Sequence, residues 1–207
     1  DIKSSGMDGP AGLTMDAGLL RMSKVGSITL PELSGTATPY SVTGGTIEFY
    51  EQSASTTNHL IRGTYGSGTN VTYNNIEING FAANETVGNT GASASFILNG
   101  TLNVNSPAIL ALSASDVVSG PGIFAVVVGG GLFYGNTAGI TTGTTAAGNV
   151  QVTGGRTYGL GTYGFLSPGD MSTGNGLPAT VNKLFLLKTN AADKVTLVND
   201  VAVNTAL

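Results

Sequence analysis

LNGTLNVN, running from Leu98 to Asn105, decides how this chain is read. An Asn99-Gly100 turn leads into Thr101-Leu102-Asn103-Val104-Asn105, where polar and apolar residues alternate. Alternation of period two places Leu102 and Val104 on one side of a strand and Thr101, Asn103 and Asn105 on the other. Upstream, Asn75-Ile76-Glu77-Ile78-Asn79 reads the same way, with Ile76 and Ile78 inward. One buried face and one wet face on very short strands is expected of a β-sandwich or of a β-solenoid.

Working outward, the pattern recurs. LNGTLNVN has a counterpart in LVNDVAVN (Leu197 to Asn204), so that Leu98, Leu102 and Val104 match Leu197, Val201 and Val203. YNNIEI (Tyr73 to Ile78) is matched by VNKLFL (Val181 to Leu186), which adds Leu184 and Leu186 to the expected core ladder. LLRMS (Leu19 to Ser23) resembles ILALS (Ile109 to Ser113), and VTGGTI (Val42 to Ile47) resembles VVGGGL (Val127 to Leu132). The pairs keep their order and define two degenerate super-repeats, about 19–105 and 109–204. Connections differ between the copies, which a solenoid tolerates because each rung projects its loops outward, whereas a sandwich must keep hairpin register. At roughly 20 to 25 residues per rung the chain would form about eight to ten rungs.

Composition supports an all-β body. Helix-compatible stretches are almost absent, and 32 glycines punctuate short β-prone runs. Only 10% of residues are charged, well under the usual quarter or so. Ser, Thr, Asn and Gly must therefore cover the surface. The net charge of −4, without any Lys/Arg cluster, argues against nucleic acid as a partner. The longest apolar run, Ile123 to Tyr134, is short for a bilayer span and carries three glycines, so membrane insertion is not indicated. Absence of cysteine excludes disulfides, thiolate metal sites and cysteine nucleophiles. The chain opens mid-pattern at Asp1 and closes mid-pattern at Leu207, which reads as a segment of a longer protein. No sharp linker divides residues 1–207; the Gly- and Thr-rich stretch 135–148 reads as a long loop.

These residues carry a resemblance. GGTIEFYE (Gly44 to Glu51), HLIRG (His59 to Gly63), TYNNIEING (Thr72 to Gly80), LPELSG (Leu30 to Gly35) and KVTLVNDVAVNTAL (Lys194 to Leu207) together resemble repeat segments of large Bacteroidetes cell-surface β-helix proteins. The resemblance covers most of the chain in patches and implies a right-handed parallel β-helix with irregular outer loops. It further implies type IX export to the cell surface and an adhesive or structural role. Lys183-Leu184-Phe185, standing where the first copy has Asn75-Ile76-Glu77, departs from the pattern by placing Phe185 at an outward position.

Candidate chemistry is sparse. GLGTYG (Gly159 to Gly164) matches a dinucleotide fingerprint, but Phe165-Leu166-Ser167-Pro168-Gly169 follows and does not open a helix, so it reads as a glycine-rich turn. His59 is the sole histidine and sits in a polar stretch, without a nucleophile elbow or companion ligands. Asp1, Asp8, Asp16, Asp116, Asp170, Asp193 and Asp200 are scattered rather than arrayed as a calcium loop. Three Asn-x-Thr triplets, at Asn70, Asn84 and Asn99, match the glycosylation acceptor in a chain rich in both residues. The seven tyrosines read as packing under loops and at rung corners rather than as a glycan-binding row. Glu48 and Glu77 are the strongest pair, each outward on a strand and expected to stack on adjacent rungs. As acid and base they would serve a polysaccharide lyase or glycoside hydrolase.

The sequence thus points to a non-enzymatic structural or adhesive segment of an exported bacterial surface protein, without cofactor. Its partners would be other segments of the same protein, surface glycans or other surface proteins. A carbohydrate-active β-helix and tandem β-sandwich spacers are the alternatives, and strand direction separates the sandwich from the solenoid.

Overall fold

The computed structural model describes residues 13–22, 40–50, 61–65, 69–80, 86–88, 95–166, 168–188 and 190–204. Among them the chain is all-β, without a helix, and every strand pair is parallel except the small hairpin of Thr64–Tyr65 with Thr69–Asn70. Parallel pairing rules out the sandwich and gives a β-solenoid.

Three sheets run along its length. Leu19–Met22, Thr46–Tyr50, Asn75–Asn79, Thr101–Val104, Ile123–Val126 and Gly155–Tyr158 stack in that order as a six-strand sheet. Thr86–Gly88, Ile109–Leu112, Gly131–Tyr134, Thr162–Phe165 and Lys183–Leu186 form a five-strand sheet. Thr72–Tyr73, Phe96–Leu98 and Val118–Ser119 form a three-strand sheet, prolonged by a bridge from Val118 to Val150. The six-strand sheet makes the solenoid about six rungs long. The expectation of eight to ten fails because rungs are longer than assumed. Register partners lie from 21 positions apart (Tyr163 to Leu184) to 32 (Phe124 to Arg156), the longer interval holding the 135–148 loop.

In-register pairing sorts side chains into columns. Leu20, Ile47, Ile76, Leu102 and Phe124 stand in one inward column, and Met22, Phe49, Ile78, Val104 and Val126 in the next. From Ile47 and Met22 onward these side chains are buried, as are Tyr73, Phe96, Leu98 and Val118 of the three-strand sheet. The inward reading of Ile76, Ile78, Leu98, Leu102 and Val104 therefore holds. Burying each such side chain contributes roughly 1.5–3 kcal/mol. Tyr73 meets Phe96 edge-on, with ring centroids 5.4 Å apart, and donates its hydroxyl to Arg62 O at 2.7 Å.

Glycine marks the corners, where backbone stacks on backbone. A Cβ on Gly100 would lie 2.7 Å from Asn74 O, and one on Gly122 would meet Gly100 O one rung further on. The same holds where Gly161 sits over Gly130. GLGTYG accordingly spans a rung corner and the start of the strand Thr162–Phe165, rather than a turn alone.

The second half of the expected ladder needs correction. Leu186, Leu197 and Val203 are 54%, 52% and 40% exposed, and Leu184 and Val201 are only partly buried against the core. Leu184 and Leu186 do occupy inward columns, below Tyr163 and Phe165, but they belong to the last described rung and nothing described covers them. Sequence similarity also pairs stretches from different faces. Asn75–Asn79 lies in the six-strand sheet and its match Lys183–Leu186 in the five-strand sheet, as do Leu19–Met22 and Ile109–Leu112 respectively. Leu19–Met22, Asn75–Asn79 and Lys183–Leu186 each follow directly on a glycine or asparagine, and Ile109–Leu112 follows Ser106-Pro107-Ala108, so the similarity reflects local strand chemistry rather than rung order.

Leu102→Ala is expected to cost about 2–5 kcal/mol in urea unfolding, and Leu197→Ala less than about 1 kcal/mol. Equal losses at both positions would contradict this burial assignment.

Candidate functional site

The wet face of the six-strand sheet brings the two glutamates together. Glu48 and Glu77 are direct register partners on neighbouring rungs, with Arg21 paired to Glu48 on one side and Asn103 to Glu77 on the other. Stacked strands lie about 4.8 Å apart, a spacing at which two bare carboxylates repel.

Donors from this same face resolve the repulsion. Arg21 Nε donates to Glu48 Oε2 at 2.5 Å, and its Nη2 donates to Oε1 at 3.3 Å. Asn79 Nδ2 donates to Glu48 Oε1 at 2.8 Å. Asn103 and Asn105 donate to the two oxygens of Glu77 at 2.7 and 2.6 Å, and Asn105 also donates to Asn79 Oδ1 at 2.8 Å. The result is one hydrogen-bonded chain from Arg21 to Asn103. Arg21 additionally lies 4.6 Å over the Tyr50 ring. Glu48 is only 8% exposed, so it is covered rather than solvated.

The hydrogen bond from Arg21 holds the Glu48 carboxyl below the usual carboxylate range, with Asn79 adding to it against a desolvation cost. A general acid needs the opposite shift. Glu48 is thus built as a charged strut, and both oxygens of Glu77 are engaged by amides. The expected juxtaposition of the carboxylates is real, and the geometry uses it for cohesion between rungs.

A second polar cluster was not foreseen. Asn149 is fully buried where the 135–148 loop rejoins the rungs. Its Oδ1 accepts from Gly135 N and Asn136 N at 3.2 and 2.9 Å, and its Nδ2 donates to Ser113 O and Asp116 O, both at 2.6 Å. The hydroxyl of Tyr134, inside the core, accepts from Asn149 N at 2.8 Å and Val150 N at 3.2 Å. Nothing in the Asn149 tripeptide distinguishes it from other Gly-Asn pairs; only rung stacking makes its four bonds converge.

Arg156 ties the same loop down. It stands in the inward column directly after Phe124. There its guanidinium donates to Thr141 Oγ1 at 2.5 Å, Thr145 O at 2.7 Å and Val152 O at 3.1 Å. Tyr158 reinforces it through Thr141 O at 3.1 Å, and Ile140 of the loop is fully buried. The 135–148 stretch is a loop, as read from sequence, but one that packs on the core side of the final strand of the six-strand sheet.

The tyrosines lie deeper than rung corners. Tyr73, Tyr134 and Tyr163 are fully buried and point into the core. Burial pushes the hydroxyls of Tyr73, Tyr134, Tyr158 and Tyr163 up from the ordinary tyrosine range, so they serve as neutral hydrogen-bonding groups. Asp170 accepts from Lys194 N at 2.8 Å, and Asp193 from Gly169 N at 2.9 Å, both fastening the last rung. Among the described residues no three His, Cys, Asp or Glu side chains gather as a metal site. His59, Glu51, Glu85 and Asn84 lie outside the described residues. No protein-family model, curated protein or solved structure matches this chain.

Because the folded-state pKa of Glu48 lies below its unfolded value, its contribution is complete above about pH 5 and disappears as pH falls through the folded pKa. Glu48→Gln is expected to remove that acid-dependent part, about 1 kcal/mol, leaving a flatter stability curve between pH 5 and pH 3 in urea titrations. Asn149→Ala removes four side-chain hydrogen bonds to backbone groups and is expected to cost about 2–4 kcal/mol. A fully stable Asn149→Ala protein would show that loop and rung do not depend on this amide.

Proposed function

We propose that this chain is a non-enzymatic structural or adhesive segment of an exported bacterial cell-surface protein, in which stacked rungs form a stiff stalk that holds loops away from the surface. The observation that carries this reading is the in-register stack itself. Continuous inward columns and inter-rung hydrogen bonds make a body whose stiffness lies along one axis. Its weakly charged covering of Asn, Thr, Ser and Gly, together with the resemblance to Bacteroidetes surface repeats, supports an exported setting. Loops and outer faces are the parts available to surface glycans, to other surface proteins or to neighbouring segments of the same protein.

The carbohydrate-active reading has one observation in its favour, the stacked Glu48 and Glu77. Against it stand the ion pair that keeps Glu48 charged and the amides that occupy Glu77.

The test is to display the chain on a cell surface and measure binding to a panel of glycans and to host bacteria, alongside release of reducing or unsaturated ends from polysaccharides. Binding without cleavage is expected, and it should survive Glu77→Gln. Polysaccharide cleavage that disappears in Glu77→Gln would overturn the structural reading.

A further inference from the structure

Three Asn-Gly pairs stand in the chain, Asn79-Gly80, Asn99-Gly100 and Asn175-Gly176, and all of them are described. Beyond marking turns, this dipeptide is prone to rearrange by itself. The glycine nitrogen, unshielded by any Cβ, attacks the side-chain carbonyl carbon of the asparagine. Its proton ends on the departing ammonia, and a five-membered succinimide closes. Addition of one water molecule opens that ring to aspartate or to isoaspartate, which carries an extra main-chain carbon. Either product exchanges a neutral amide for a carboxylate, and isoaspartate also breaks in-register pairing.

For the ring to close, the glycine N–H must give up its hydrogen bond and the asparagine side chain must swing onto it. Rung stacking prevents the first step at two of the pairs. Gly100 N donates to Asn74 O of the preceding rung at 2.9 Å, flanked by Asn99 N on Tyr73 O at 2.8 Å and Thr101 N on Asn75 Oδ1 at 2.9 Å. Three successive N–H groups are therefore committed to the neighbouring rung, although the Asn99 side chain itself is exposed. Gly176 is buried, and its N donates to Ile140 O, inside the 135–148 loop, at 2.8 Å. Asn175 Oδ1 accepts from Thr142 N of the same loop at 3.3 Å.

At the third pair the lock is on the side chain. Asn79 Nδ2 donates to Glu48 Oε1 and its Oδ1 accepts from Asn105 Nδ2, both at 2.8 Å. The amide is thus held from both ends on the polar face of the six-strand sheet. Aspartate at this position would set a third carboxylate against Glu48 and Glu77, a like-charge contact that destabilises paired strands.

We propose that rung stacking seals all three pairs against succinimide formation. The seal acts at the attacking nitrogen in Asn99-Gly100 and Asn175-Gly176, and at the attacked amide in Asn79-Gly80. The chain can then use Asn-Gly through a long working life without accumulating charge or register faults. Sealing follows from the hydrogen bonds alone and holds whatever the chain's function.

The test incubates the folded chain beside the same chain held unfolded in guanidinium chloride, in warm alkaline buffer, and follows each pair by peptide mass mapping. The unfolded chain is expected to convert at all three pairs. The folded chain should convert each at least about tenfold more slowly, because the pair must first open locally. Hydrogen–deuterium exchange should likewise be slow at Gly100 and Gly176. Asn105→Ala, which releases Asn79 Oδ1, is expected to speed conversion at Asn79 severalfold and to leave Asn99 and Asn175 as they were. Conversion of any pair in the folded chain at its unfolded rate overturns the proposal. So does an Asn105→Ala chain, folded by circular dichroism, in which Asn79 is no faster or all three pairs are equally faster. Should Asn105→Ala fail to fold, the comparison of folded with unfolded unaltered chain decides the matter.

Discussion

Successive rungs are joined by backbone hydrogen bonds in strict residue-to-residue register, and the rest of the structure depends on that constraint. In a parallel ladder each residue sits above its partner, so a side chain's environment is set by the rungs on either side of it. Inward positions must all be apolar and of compatible size, as from Ile47 through Ile76 and Leu102 to Phe124. Corners must let backbone lie on backbone, which is why glycine recurs at Gly100 and Gly122 on one edge and at Gly130 and Gly161 on another. Loops between strands are free of the constraint, and their lengths vary accordingly.

Register also governs the polar face. It forces Glu48 onto Glu77, an unfavourable contact in isolation, and it supplies the remedy from the same columns: Arg21 one rung before, and Asn79, Asn103 and Asn105 on the same rungs and the next. Amide ladders suit stacked strands because a side-chain N–H of one rung reaches an oxygen of its neighbour without adding charge. A chain with so few ionisable residues thus places an ion pair where like charges would otherwise meet.

The body that results is cohesive along its axis. Along the middle, every rung is covered on both sides. The long 135–148 insertion turns inward, and Arg156 replaces the aliphatic residue its column would otherwise demand, trading burial for two hydrogen bonds to the loop and one to Val152 O. Beyond it the six-strand sheet stops at Gly155–Tyr158, and Leu186, Leu197 and Val203 are partly exposed. Stiffness along the axis follows from the stack.

The alternation in Asn75–Asn79 and Thr101–Asn105 was enough to establish strands, their inward residues and the outward place of Glu77. Asn-Gly and Gly-Gly punctuation was enough to establish corners. These are local properties, set by the two-residue period of a strand and by the space a Cβ requires. Sequence similarity between Asn75–Asn79 and Lys183–Leu186 did not reveal that they belong to different sheets, because both obey the same local rule. Nor did parity alone reveal that Leu186, Leu197 and Val203 are exposed, since inward direction becomes burial only when another rung covers it. The strand Thr162–Phe165 was hidden by its glycines, and the convergence of Asn149 and Arg156 on the loop was hidden by distance along the chain. By itself, the sequence determined which way side chains point in its clearly alternating strands; the tertiary structure decided what they meet, because neighbours in a solenoid are set by rung length, which loops change freely.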